Sequence, residues 1–231
     1  HFDYPHAYLA DLPSKLTATG VGRGYRADEA AEQTPPPRKE VQLRAPLFEQ
    51  GEKKLTPAEV GTAHHLFMQF CDFDAACAPN GVENELNRLA EKKILSTEQA
   101  YAVDKRKIER FFASDLYKTF MAENKVRREF KFSVLVPVQA YFPVAADAPE
   151  ENVLLQGVID CLIETGDGFV ILDFKTDRIK KGGAVERAEQ YRPQLAAYAR
   201  AVHEIYGRPV RACVLYFFHT GDTEWVSLDE T

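Results

Sequence analysis

Two apolar stretches, Leu154 to Glu164 and Phe169 to Phe174, constrain this chain most. Val, Ile and Leu fill successive positions in both, the mark of strands buried on both faces, and Gly166-Asp167 between them predicts a two-residue hairpin turn. Such strands belong inside a sheet covered by helices. The chain before them supplies helices. Thr56, Pro57 and Glu59 provide an N-cap, a first-turn proline and the returning carboxylate of a capping box, predicting a helix from about Pro57 to Cys71. Val82 to Leu95 reads as helical. Ser96 with Gln99 predicts another start, continuing through Tyr101, Ile108, Phe111 and Phe112. From Arg127 onward Phe130, Phe132, Val134 and Val136 alternate, which predicts a strand with one buried face. Pro193 would clash inside a helix, so the last helix is expected to begin there and stop at Gly207, before a strand over Val210 to Phe218. Residues 1–55, polar and carrying Pro35-Pro36-Pro37, read as a surface arm contributing little core, with one domain over 56–231. The start at His1 rather than Met leads us to expect a piece of a longer protein.

Composition excludes several classes. With 45% apolar and 28% charged residues, the 231-residue chain has a globular balance, not that of a disordered or coiled-coil chain. No run approaches the ~18 apolar residues of a membrane span, and the first residues lack a signal-peptide layout, so no membrane association and a cytoplasmic location are expected. Cys71, Cys77, Cys161 and Cys213 form no C-x2-C pair, which argues against a zinc site and for buried thiols. A net charge of −6 argues against binding nucleic acid by bulk electrostatics, yet leaves room for a local basic groove. Two basic groups, Asp173 to Lys181 and Arg127, Arg128 and Lys131, are either such a groove or solvated faces.

The hairpin turn has a chemical consequence. With a two-residue turn at Gly166-Asp167, facing residues have numbers that sum to 333, which sets Asp160 opposite Asp173. Two carboxylates so placed repel unless something positive sits between them, and a divalent cation is the natural answer. Lys175, two residues past Asp173, projects to the same face. This combination suits phosphodiester hydrolysis. The alternative is an ion pair between Asp160 and Lys175 at a strand end, with Asp173 starting a turn.

These residues carry a resemblance. Gly157-Val158-Ile159-Asp160 followed by Asp173-Phe174-Lys175-Thr176-Asp177 resembles the signature of RecB-family nucleases, a branch of the PD-(D/E)XK superfamily. Gly61-Thr62-Ala63-His64-His65 is similar to their G-T-x-x-H helix, and Tyr191, Gln194 and Tyr198 resemble their downstream Y-x-x-Q-L-x-x-Y helix. Among these nucleases, the chain looks most like the carboxy-terminal nuclease domains of AddA-type subunits of bacterial AddAB helicase–nucleases. The resemblance implies an α/β restriction-endonuclease-like core: a central mixed β-sheet flanked by helices, with an N-terminal helical region and a surface arm.

It further implies that Asp160, Asp173, the backbone carbonyl of Phe174 and a histidine hold Mg²⁺, with Mn²⁺ as a substitute, and that Lys175 is the catalytic base or water positioner. The motif assigns the histidine to His65, although His64 adjoins it about 100° around the helix. Gln194 and Tyr198 would contact the scissile phosphate or stack on a base; the bland alternative is a tyrosine packed on the sheet. Glu129 matches an R-E-x-x-F strand and is either a structural acid or a site residue. Only Cys213 follows Lys175, which argues against an iron–sulfur cluster. No phosphate-binding loop occurs, so ATP use would belong to helicase regions outside this chain. The implied activity is cleavage of single-stranded DNA during helicase-coupled double-strand-break repair, and the implied partners are helicase domains and an AddB-like subunit. A stand-alone exonuclease and a non-catalytic DNA-guiding or docking module are the alternatives.

Overall fold

A computed structural model describes residues 12–21, 55–142 and 151–228. In chain order the elements are β1 (Lys15–Thr17), α1 (Ala18–Val21), α2 (Pro57–Phe70), α3 (Phe73–Cys77), α4 (Gly81–Glu91), α5 (Thr97–Ala102) and α6 (Lys105–Ala113). There follow a π-helical segment (Leu116–Met121), β2 (Lys125–Pro137), a short 3-10 turn, β3 (Asn152–Thr165), β4 (Gly168–Lys175), α7 (Ala184–Tyr206), β5 (Val210–Phe217) and β6 (Asp222–Val226). The mixed sheet has six strands in the order β1-β3-β4-β5-β6, with β2 paired along the other side of β3. Helices α2 to α6 pack a core containing Phe67, Phe111 and Phe174 on one face, and α7 packs another containing Leu155, Ile171 and Leu195 on the opposite face. This is the expected α/β fold.

Both capping boxes form: Thr56 with Glu59 starts α2, and Ser96 with Gln99 starts α5. β4 is buried at seven of its eight positions. The turn is two residues long, with Thr165 paired to Gly168 and Cys161 to Leu172, so the register is the one expected. Gly207 stops α7 at φ 63°.

Three expectations are corrected. The helix expected from Ser96 through Phe112 is two helices broken at Val103 and Asp104, and Tyr101, expected on its apolar stripe, is 93% exposed. Helix α7 begins at Ala184, not Pro193. Pro193 lies on its exposed side, where water can satisfy the carbonyl it leaves unpaired, while Ala184 and Ala188 bury against the sheet and hold the first turns. The third concerns the segment read as an arm. Lys15–Thr17 pairs in parallel with Leu154–Gln156, and Leu16 and Ala18 are buried. Three residues are too few to show a period in sequence. The Pro35-Pro36-Pro37 stretch lies outside the described residues. Cys71, Cys161 and Cys213 are buried as expected, whereas Cys77 is exposed.

The sheet has one irregularity that matters. β3 is lined by β2 along one side, but its other side is shared: β1 pairs with residues 154–156 and β4 with residues 161–165. Between these partners, at Gly157 to Asp160, β3 has no strand on that side among the described residues. The sheet forks there. A Cβ on Gly157 would lie 2.5 Å from Phe132 and 3.2 Å from Ala18, so only glycine lets the fork close this tightly.

Candidate active site

Asp160 stands at the fork. Its register leads to Asp173, but the ladder ends one step earlier, at Cys161 and Leu172. Beyond that step the Phe174 N–H turns to donate to Asp160 Oδ2 at 2.7 Å, replacing a strand hydrogen bond with a side-chain one. The opposite side of β3 brings another acid. Arg128 pairs with Cys161 and Phe130 with Ile159, which sets Glu129 across from Asp160. Glu129 has φ 50°, a left-handed conformation rare for a non-glycine residue inside a strand. Burial, and then the charge of Asp160, push its carboxyl pKa up.

Helix α2 delivers two histidines to different surroundings. His65 Nδ1 lies 3.5 Å from Asp160 Oδ1. Burial opposes its protonation, but the hydrogen bond and charge of Asp160 outweigh it and raise the pKa. His64 is buried, with Nδ1 2.8 Å from the Val60 carbonyl and Nε2 accepting the Asp104 N–H at 3.3 Å. Both ring nitrogens are engaged, which makes the ring a tie between α2 and the start of α6. Burial lowers its pKa. Gly61 lets α2 approach: a Cβ there would sit 2.8 Å from Thr176 Oγ1.

Lys175 is held on three sides. Its Nζ lies 2.6 Å from Asp173 Oδ2, donates to Gln194 Oε1 at 3.2 Å and sits 3.8 Å above the Tyr191 ring. A carboxylate, an amide oxygen and an aromatic face thus hold the amine in one place. Gln194 Nε2 in turn donates to the Tyr198 hydroxyl at 2.7 Å. Tyr198 is 2% exposed and packs edge-on against Phe132, so no base can stack on it; it reaches the site through Gln194. Tyr191, at i−3 from Gln194, was not among the residues expected at the site. Its hydroxyl donates to Asp177, which also pairs with Arg187.

Both acids of the centre have an ionic partner, but one keeps an oxygen without a directed hydrogen bond. Asp173 is buried, and its Oδ2 has no well-angled hydrogen bond even though the Lys175 ammonium is close; the contact is ionic and not directional. Burial drives the Asp173 carboxyl pKa up, Lys175 opposes this, and Asp160 adds to it. A buried acid short of a directed hydrogen bond, beside a second acid with an imidazole against it, is a donor set suited to a hard cation. Among the described residues no three such side chains converge on one point; His65 pairs with Asp160 and Lys175 with Asp173.

Comparison with known proteins places the chain. Residues 38–227 match the family model of the PD-(D/E)XK nuclease superfamily, and the chain belongs to that superfamily. Its relatives include the A-type subunits of ATP-dependent helicase/nucleases. Those from Moorella thermoacetica and Desulforamulus reducens are 40% and 38% identical over 94% and 95% of this chain. The chain spans only 15% and 18% of those two relatives. Among the described residues no helix is long and apolar enough to cross a membrane.

Proposed function

We propose that this chain hydrolyses phosphodiester bonds of single-stranded DNA with a divalent cation, as the nuclease part of a helicase–nuclease that processes double-strand breaks. The gathering of His65, Asp160, Asp173 and Lys175 at the fork of β3 carries this reading. Asp160, Asp173, His65 and the Phe174 carbonyl would hold Mg²⁺, with Mn²⁺ as a substitute. When bound, the cation supplies Lewis acidity toward a phosphoryl oxygen and lowers the pKa of water.

The chain's own residues do the rest. Lys175, held by Asp173, Gln194 and Tyr191, offers its remaining proton to the attacking water and orients it toward phosphorus. The water oxygen bonds to phosphorus as the water loses a proton to solvent, the P–O ester bond breaks with the leaving alkoxide taking a proton from solvent, and the ammonium field offsets the charge that builds on the phosphoryl oxygens. Gln194 and Tyr198 fix the lysine from behind. In this reading the nuclease unit includes β1 together with residues 56–231, the helicase domains belong to the parent protein, and the partner protein is AddB-like. Incubation with end-labelled single-stranded DNA and Mn²⁺ tests it: the wild-type chain cuts, and the Asp173→Asn variant does not. Equal cutting by both would exclude this centre.

A further inference from the structure

A cleft of about 520 Å³ opens beside the fork, where β4 and β5 both end. The two sites are joined by the chain itself: Thr176 follows Lys175 and lines the cleft, and the Phe218 N–H donates to the Lys175 carbonyl at 2.9 Å. Leu55, Val60 and Phe218 form an apolar wall; Lys107, Arg178 and His219 stand at the rim. The acid that also lines the cleft, Asp177, is compensated by Arg187 and Tyr191. Arg178 and His219 are exposed and make no hydrogen bond or ion pair with the described residues. Lys107 has only a loose contact, 3.7 Å, with Asp104.

Positive charge without structural employment, around an apolar pocket one residue from Lys175, has the chemistry of a nucleotide site. A base can lie against the apolar wall with the exposed His219 ring as a stacking face, and an anion can lie between the rim cations. A patch of solvated lysines would lack the pocket, and an apolar docking groove would lack the cations. The overall charge of −6 makes a local device of this kind necessary if a polyanion is to stay bound.

We propose that this cleft is a subsite for the nucleotide adjoining the phosphate at the fork, with Arg178 and Lys107 gripping the next phosphate along the strand. The inference rests on the nuclease reading, and deepens it. Its test is binding of fluorescein-labelled oligothymidylate to the 231-residue chain in EDTA, followed by anisotropy across a salt series. The Lys107→Ala/Arg178→Ala double variant should bind about 10-fold more weakly. Its plot of log affinity against log salt should be flatter by about 0.7, the loss expected for one phosphate contact on a single strand. Lys125→Ala removes an exposed cation at the far end of β2, opposite Glu164, and should keep the wild-type slope. A double variant that melts like wild type and keeps its slope, or loses no more affinity than Lys125→Ala, overturns the subsite. The two readings separate cleanly. Arg178-dependent binding by a wild-type chain that never cuts in Mn²⁺ removes the nuclease and keeps the cleft, whereas cutting without Arg178-dependent binding does the reverse.

Discussion

The helical layer and the fork of the sheet treat buried charge in opposite ways. In the layer, the charged groups at the end of α2 are matched. Buried Glu85 accepts from the Asp72 N–H and from Arg88, Arg88 also donates to the Phe70 carbonyl, and Arg128 donates to the Met68 and Cys71 carbonyls. At the fork, Asp173 keeps an oxygen without a directed hydrogen bond, and Glu129 sits in a left-handed conformation beside another acid. On the proposed function the difference separates a scaffold from a site, with local rules satisfied where rigidity is needed and broken where a ligand would complete the structure. His64 and His65, one peptide apart, belong to the two regimes.

If that contrast is right, substitutions at the fork should remove activity while sparing the fold, and those in the layer should do the reverse. The largest effects fall at the fork. Asp160→Asn, Asp173→Asn and Lys175→Ala should each lower single-strand cleavage by about 10³-fold, with unfolding still cooperative by circular dichroism. His65→Ala should fall with this group. Millimolar Mn²⁺ should raise the melting temperature of the wild type and not of Asp173→Asn; equal shifts would remove the proposed ligand set.

Next comes the joint between the regimes. Gly61→Ala puts a Cβ 2.8 Å from Thr176 Oγ1 and should push α2, with His65, away from Asp160. Misplacement of this kind costs up to about 100-fold in rate. Thr176→Ser leaves the crowding hydroxyl in place, whereas Thr176→Ala removes it, so rescue of Gly61→Ala by Thr176→Ala alone marks the contact as the cause.

In the layer, Arg88→Ala strands a buried carboxylate. Arg88 is itself about one-third exposed, so the loss should be nearer ~2 kcal/mol of unfolding free energy than the larger values of fully buried pairs. The hydrogen bond from Arg88 holds the Glu85 pKa below its usual value. The pair therefore contributes fully above the unfolded pKa of about 4.5, and its contribution is lost as pH falls through the folded value. Urea titrations of wild type and variant should converge in acid; cleavage rate per folded molecule should change little.

Much of the site was legible because a two-residue turn fixes register, so Asp160 and Asp173 could be brought together by counting, and capping chemistry is local enough to place α2 and its histidines. What could not be read depended on partners remote in sequence. β1 has three residues and no period, yet by pairing with residues 154–156 of β3 it forms one arm of the fork that leaves Asp160, among the described residues, without a strand partner on the side away from β2. Pro193 reads as a helix start because the burial of Ala184 and Ala188, which outweighs its missing N–H, depends on the sheet. The embedding of Tyr198, and the Tyr191 ring over Lys175, required knowing how α7 lies across the strands.

The smallest effect is the sharpest test of the contrast, because the two histidines should respond to pH with opposite signs. Burial lowers the folded pKa of His64 below its ordinary value of 6.5, so the unfolded chain binds the proton more tightly. Stability from keeping His64 neutral is present above 6.5 and drains away as pH falls. Asp160 raises the folded pKa of His65 despite its burial, so stability from that ion pair is present below 6.5 and is lost as pH rises through the folded value. In EDTA, the stability gap between wild type and His64→Gln should therefore narrow from about pH 8 toward about pH 5, while the gap to His65→Gln should narrow in the other direction. Parallel slopes for the two variants would place both rings in one environment and erase the distinction between scaffold and site on this helix.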